Sequence, residues 1–250
     1  MQLFSVNSDK LETQLMCYSN SSTSTTYQLA EKYKKNPPSD LDPGPVFFAS
    51  GFSFPEWRVI TEEEDMQIMK WGLIPQWFRG GNWKEIASKT LNARSETADE
   101  KPSFEKALEH RCIVPSTGFF EWKTIGKEKI PYFIAPSEGE VFHMAGIFDG
   151  WLDQSTGKIV RTFSILTCEA NELMAEIHNT KHRMPSILPN ELIGDWLSGT
   201  MDVHALEKGI PSKAMKAHEI SRRIIGGKQP NVKEVLEPFD NGIGLQGSLW

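Results

Sequence analysis

Cysteine is scarce in this chain of 250 residues: Cys17, Cys112 and Cys168 make an odd number and show no CxxC spacing. That excludes a disulfide framework and argues against a structural zinc site; no metal or organic cofactor is implied. Long apolar runs are missing too. None approaches the roughly 18 residues of a membrane span, and Met1 to Leu15 is too polar for the apolar region of a secretory signal. A cytoplasmic protein with no membrane partner is therefore expected. Nor is there an excess of basic charge. The formal net charge of -6 and pI of about 5.6 argue against a protein that coats nucleic acid nonspecifically, because Lys and Arg neutralising phosphates supply most of such affinity. No Pro/Gly/Ser-rich linker divides the sequence. At 39% hydrophobic residues it can bury a sizeable core, and it reads as one domain over 17–250 preceded by a leader, propeptide or over-extended start over 1–16. A monomer is expected.

What is present reads as many short strands interrupted by a few helices. Thr25 to Lys34 carries Tyr27, Leu29, Ala30 and Tyr33 at helical spacing and stops at Asn36-Pro37-Pro38. Val46 to Ala49, Trp57 to Ile60, Met66 to Trp71, Arg111 to Pro115, Pro131 to Ala135, Phe142 to Phe148 and Thr162 to Thr167 read as strands, the last two joined through a hairpin connection over Gly150 to Lys158. Ala87 to Leu91 predicts another strand, with Asn92 and Arg94 at its mouth. Ser103 reads as the N-cap of a helix over Phe104 to Glu109, and further helices are predicted over Glu169 to Ile177, Pro189 to Leu197, Val203 to Lys208 and Ser212 to Ile220. The tail from Ile225 to Trp250 is Gly-rich and carries no periodicity. Together these elements predict an α+β fold with a mainly antiparallel sheet.

Several polar groups stand where packing does not need them. Glu121 lies among Phe119, Phe120 and Trp122, so it is either an outward, solvated residue of period two or a desolvated carboxyl with a raised pKa. Trp71, Trp77, Phe78 and Trp83 fall among glycines. Either large rings pin that loop to the core or they form a stacking surface for exposed bases. A basic groove could collect Arg79, Lys84, Lys89, Arg94, Lys181, Arg183, Arg222 and Arg223 while Glu62 to Asp65 and Asp99-Glu100 point elsewhere. His178 falls at a predicted helix C-terminus, which favours the imidazolium, and His182 directly precedes Arg183; two histidines thus compete for one role. Taken singly, Asn92 reads equally well as a turn residue, His178 as a C-cap and Arg183 as a strand start. Cys112 and Cys168 lie in apolar strand patterns and read as buried core residues. Cys17 differs, following Met16 and preceding a polar run from Ser19 to Thr26.

Taken together, Met16-Cys17, Trp71-Gly72-Leu73-Ile74-Pro75, Asn92-Ala93-Arg94-Ser95-Glu96, Gly118-Phe119-Phe120-Glu121-Trp122 and Arg183-Met184-Pro185, in this order, resemble the SOS response-associated peptidase family. The resemblance spans Met16 to roughly Leu197. It implies a curved, barrel-like, mainly antiparallel sheet with peripheral helices and an active-site groove across it. It also implies a DNA-damage protein that senses abasic sites in single-stranded DNA and is nucleoid-associated when bound there. Cys17 at a mature N-terminus would carry an α-amine of pKa about 8 beside a thiol of about 8.5, and the two together close on an aldehyde as a thiazolidine. By the same resemblance Glu121 would shuttle protons, His178 would serve the ring-opened sugar oxygen and Asn92 would hold the Cys17 amine or the substrate. Arg94 and Arg183 would grip phosphates, with Trp71, Trp77 and Trp122 as further DNA contacts.

The chain departs from the family pattern at its reactive end. Sixteen residues precede Cys17, where the family has an initiator methionine, so self-cleavage between Met16 and Cys17 would have to expose the amine. Tyr18-Ser19 stands where many members carry Gly-Arg, which removes one phosphate contact. The Ile-His start of the family's histidine motif matches Ile177-His178, with a longer spacer before Arg183, and favours His178 over His182. Two other classes remain open: a thiol protease acting on external peptides, and a noncatalytic module that binds single strands through tryptophan and arginine.

Overall fold

The computed structural model describes residues 18–38, 42–222 and 231–239. Cys17, the 1–16 segment, Arg223 and most of the C-terminal tail lie outside them. Among the described residues two sheets, neither of them closed, carry the fold. The first has five strands in the order β13-β8-β7-β1-β2, comprising β1 (Ser19–Ser22), β2 (Val46–Ser50), β7 (Gly118–Ile125), β8 (Glu128–Pro136) and β13 (Met215–Glu219). The second has eight strands. Its main path runs β12-β9-β10-β4-β3, from β3 (Glu56–Val59), β4 (Gln67–Trp71), β9 (Phe142–Asp153), β10 (Lys158–Glu169) and β12 (Ile187–Leu188). Off that path, β5 (Asn92–Arg94) and β11 (Arg183–Pro185) pair with β10, and β6 (Arg111–Ser116) pairs with β9. Among the described strands only β4 and β5 run parallel to their partner, β10. The predicted α+β, mainly antiparallel class describes the molecule.

Among the described residues four short α-helices decorate the sheets: α1 (Thr26–Tyr33), α2 (Trp83–Ala87), α3 (Glu172–Ile177) and α4 (Ile193–Leu197). Helix α1 begins where the sequence places it, because Thr25 and Gln28 form a reciprocal capping box. It ends as Lys34 turns left-handed (φ 52) ahead of the prolines. Among the described residues no helix is long and apolar enough to cross a membrane.

The main core lies between the sheets. Trp57, Met69, Trp71 and Phe163 from the second sheet cluster there with Ala49, Phe119, Ile134 and Met215 from the first. A second cluster packs Leu29 and Ala30 of α1 and Trp196 of α4 with Ile113, Ile147 and Leu166. A third joins Phe120, Trp122 and Phe133 to Ile220 and Val235 near the C-terminal end.

Three local expectations need correction. The helix predicted over Ser212 to Ile220 is a single 3-10 turn followed by β13, which pairs antiparallel with β8 from Met215↔Pro136 to Glu219↔Tyr132. Pairing to an available sheet edge outweighs the weak helical spacing. Of the strand predicted over Ala87 to Leu91, Ala87 closes α2 and 88–91 form the turn after it, while Asn92 to Arg94 themselves form the strand. Ser103 caps no α-helix. The segment it opens is turn-like and ends in a 3-10 stretch, Lys106–Glu109.

Gly118 begins β7 at a place where no side chain fits. A Cβ there would collide with the ring of Phe133 and approach the Ile134 carbonyl oxygen to 2.6 Å. The ring could move; the paired backbone of β8 cannot without breaking the ladder. Gly118→Ala should therefore lower stability by about 1–3 kcal/mol, the usual cost of overpacking, read as a fall in the midpoint of chemical denaturation.

Candidate active site

Strand β7 settles the two readings of Glu121. It is an interior strand, with β1 on one side and β8 on the other, and Gly118 to Trp122 are all buried. Side chains alternate along it: Phe120 and Trp122 enter the outer cluster, while Phe119 enters the core between the sheets. Glu121 shares the parity of Phe119, and it is 1% exposed. The carboxyl is desolvated because both faces of this strand are covered.

His178 meets it from the end of α3. Asn171 caps the start of that helix, its side chain accepting from the Met174 backbone at 2.9 Å. At the other end the His178 backbone N–H closes on the Met174 carbonyl at 2.7 Å. The His178 ring is itself 1% exposed, with Nδ1 3.9 Å from Glu121 Oε1. Nδ1 donates to the Arg183 carbonyl at 2.9 Å; a carbonyl can only accept, so this contact fixes the proton on Nδ1. Nε2 is buried and has no hydrogen-bond partner among the described residues. His182 is exposed and occupies a left-handed turn (φ 50). The histidine beside Glu121 is His178.

Two motifs some ninety residues apart meet on one strand. Ile165 to Thr167 of β10 pair with Asn92 to Arg94 on one side, and Thr167 to Glu169 pair with Pro185 to Arg183 on the other. Arg183 is buried there, its guanidinium forked onto the Glu96 carboxylate. One nitrogen of the fork also donates to the Thr167 carbonyl at 2.7 Å. The resemblance has Arg183 gripping phosphate, but in this structure its fork faces Glu96. Burial by itself would raise the Glu96 carboxyl; the hydrogen bonds from Arg183 and the charges of Arg183 and Arg94 outweigh it and hold the carboxyl below its usual range. With the folded pKa below the unfolded one of about 4.3, the stability this group contributes is present above that value. It is lost as pH falls through the folded one.

Next to this pair opens a groove of about 740 Å³ whose lining includes Tyr18, Trp77, Phe78, Lys89, Asn92 and Arg94. Tyr18 reaches it because Ser19 and Asn20 of β1 pair with Phe120 and Phe119 of β7. The residue before Ser19 thus enters the groove, and the residue after Phe120 is Glu121. Arg94 is exposed, and Lys101 joins it and Lys89 on the lining. Trp77 is half exposed at 50%, held by Nε1 donating to the Pro102 carbonyl at 3.1 Å.

The other two tryptophans do not face this groove. Trp71 is 1% exposed, stacked on Phe163 and hydrogen-bonded to the Leu91 carbonyl at 2.8 Å. Trp122 lies in the outer cluster under Ile220 and Val235. Neither can stack on a base without unpacking a core, so as DNA contacts both are corrected, and for Trp71 the core-pinning reading holds. Of the basic residues expected to converge, Lys89 and Arg94 do. Lys84 lies over the Trp83 ring and Arg222 pairs with Glu128. Sequence reasoning missed Lys101 and the role of Glu96. The latter had no local signal, since β5 ends at Arg94, Glu96 lies in the turn beyond it, and its partner is eighty-seven residues away.

Fold and site together define an α+β protein in which a buried carboxyl–imidazole pair stands beside an open, basic, aromatic-edged groove. The chain belongs to the SOS response associated peptidase (SRAP) family, whose model matches residues 8–226. It is 35% identical over 175 residues to the abasic site processing protein YoqW of Bacillus subtilis, covering 68% of this chain and 75% of that one. With the abasic site processing protein HMCES of Gallus gallus it shares 31% identity over 234 residues, 84% of this chain and 67% of that one. A crystal structure of a protein from Bacteroides thetaiotaomicron superposes with a TM-score of 0.83 at 38% identity, over 89% of this chain and all of the other.

Proposed function

We propose that this protein processes abasic sites in single-stranded DNA by capturing the sugar aldehyde covalently through Cys17. One observation carries the reading: an imidazole nitrogen, His178 Nε2, is buried and unpartnered among the described residues beside the Glu121 carboxyl. A few residues away on the β1–β7 pair, Tyr18 delivers the chain to a basic groove. Relatives named as abasic site processing proteins support the same substrate.

The chemistry proceeds in balanced steps. Cys17 first attacks the Met16 carbonyl, the peptide nitrogen leaves as the Cys17 amine, and water hydrolyses the resulting thioester to free the Met16 carboxylate. Glu121 moves the protons. The amine then adds to the aldehyde and loses water as an imine; the thiol adds to the imine carbon and its proton goes to nitrogen, closing the thiazolidine. His178 Nε2, left as an acceptor by the proton on Nδ1, takes the C1 hydroxyl proton and passes it to the sugar oxygen as the ring opens, and Asn92 on the groove wall holds amine or substrate. Arg94, Lys89 and Lys101 face the phosphates, and Trp77 offers its exposed ring to a base.

Acetylating the mature α-amine tests this against its rivals. Aldehyde capture should be abolished while noncovalent binding of single strands persists. Undiminished capture would remove the amine from the mechanism, and continued cleavage of external peptides would identify a conventional thiol protease instead.

Strand form gives a second expectation. An aldehyde on an unpaired nucleotide is accessible, whereas one inside duplex must be extruded at a cost of a few kcal/mol. Single-stranded abasic DNA should thus crosslink at least tenfold faster than the same site in duplex, by about 1.4 kcal/mol per decade. Equal rates on a denaturing gel would mean that a duplex groove is read and that Trp77 is packing.

A further inference from the structure

We infer that Glu96 is a positioning residue for His178, acting through the side chain and then the backbone of Arg183. The inference rests on the proposed role of His178 in abasic-site capture.

The connection is continuous. Glu96 holds both terminal nitrogens of Arg183, and the Arg183 carbonyl holds His178 Nδ1 at 2.9 Å. Between His178 and Arg183 the chain makes a tight turn, with the His182 N–H donating to the His178 carbonyl at 3.0 Å. His182 adopts φ 50 there, a left-handed conformation that is strained for a residue with a Cβ. Such a conformation persists only while its surroundings over-determine it. On its far side the turn is held by the Ala170 N–H donating to the His182 carbonyl and by the pairing of β11 with β10. Directly after it comes Arg183, whose guanidinium is fixed by Glu96 and Thr167.

Without Glu96 the Arg183 side chain loses a charge-assisted, two-pronged contact, the stronger kind of hydrogen bond. The strained turn can then relax, and the carbonyl that sets the His178 tautomer moves off Nδ1. The second ring nitrogen, the one aimed at substrate, loses its fixed direction. Groups that orient a working histidine through its other nitrogen commonly matter in this way. The same carboxylate also sits two residues beyond Arg94 on the groove wall, so one side chain ties the wall to the strand that orients the histidine.

Capture of a single-stranded abasic oligonucleotide, followed at saturating DNA, separates positioning from binding. Glu96→Ala should slow the first-order capture step about ten- to a hundredfold, as a misplacement of about 1 Å can, with the dissociation constant for intact single-stranded DNA unchanged. Glu96→Gln, which keeps one acceptor for Arg183, should fall between Ala and wild type. In a His178→Ala background, Glu96→Ala should add no further loss, because neighbours that act as one unit are not additive. If Glu96→Ala captures normally while His178→Ala is slow, or if the two losses multiply, this inference fails and the proposed chemistry stands. If His178→Ala itself captures normally, both fail. A loss of noncovalent binding that matches the loss of capture would make Glu96 a groove-shaping residue and overturn the positioning role.

Discussion

Cys17→Ser should form no stable crosslink with abasic DNA and should keep residues 1–16 attached. In the proposed chemistry the thiol does two things. It must attack the Met16 carbonyl and, later, close the ring on the imine carbon; a thiol is a few per cent thiolate at neutral pH, whereas a hydroxyl has no such anion. The loss should be complete in both assays, intact mass for the leader and a denaturing gel for the crosslink. A second preparation of the same variant, made without residues 1–16 so that the substituted serine is the first residue, isolates the later step. It still has an α-amine, so it should form an imine that borohydride traps but that reverses on heating. If Cys17→Ser is trimmed normally, another protease removes the leader. If the serine-initiated form gives a heat-stable crosslink without reduction, the thiazolidine is wrong.

The sequence makes some parts of this molecule readable because their causes are local. The helix that starts at Thr25 and the turn around Asp153 to Gly157 are set within a few residues, and both segments are visible in the order of side chains. Other parts depend on distant partners. The parallel pairing of β4 and β5 with β10 joins segments more than seventy residues apart, and no local pattern encodes it. For the same reason Ser212 to Ile220 reads as helical until β8 supplies an edge.

The aromatic residues show the limit most clearly. Trp71, Trp77 and Trp122 are chemically identical, and only the sheet packing decides that Trp77 meets solvent while the other two are buried. Glu121 is the reverse case. Its parity with Phe119 is plain in the sequence; what cannot be seen there is that β7 is covered on both faces. Within the motif containing Asn92, the partner of Glu96 lies eighty-seven residues away. Its use as a brace becomes legible only in three dimensions.

Glu121→Gln should slow both leader removal and abasic capture by about 10² to 10⁴-fold, the range for a lost general acid–base group, while the fold and noncovalent DNA binding stay intact. The amide is isosteric with the carboxyl, so packing between β1 and β8 is kept and only proton transfer is lost. The two histidines should then divide the reactions. His178 is buried with Nδ1 3.9 Å from Glu121 Oε1 and its other nitrogen unpartnered among the described residues. His178→Ala should accordingly slow capture more than leader removal, because its partner in the proposal is the sugar oxygen, which the peptide cleavage lacks. His182 is exposed, and its hydrogen bonds within the turn are made by its backbone. His182→Ala keeps those bonds and the same Cβ at the left-handed φ of 50, so the turn is strained no differently and capture should stay within about threefold of wild type. Single-turnover rates for the two variants on one abasic oligonucleotide decide the matter. A slow His182→Ala beside a normal His178→Ala would move the working histidine to the solvent side of the turn and leave the buried pair with a structural role only.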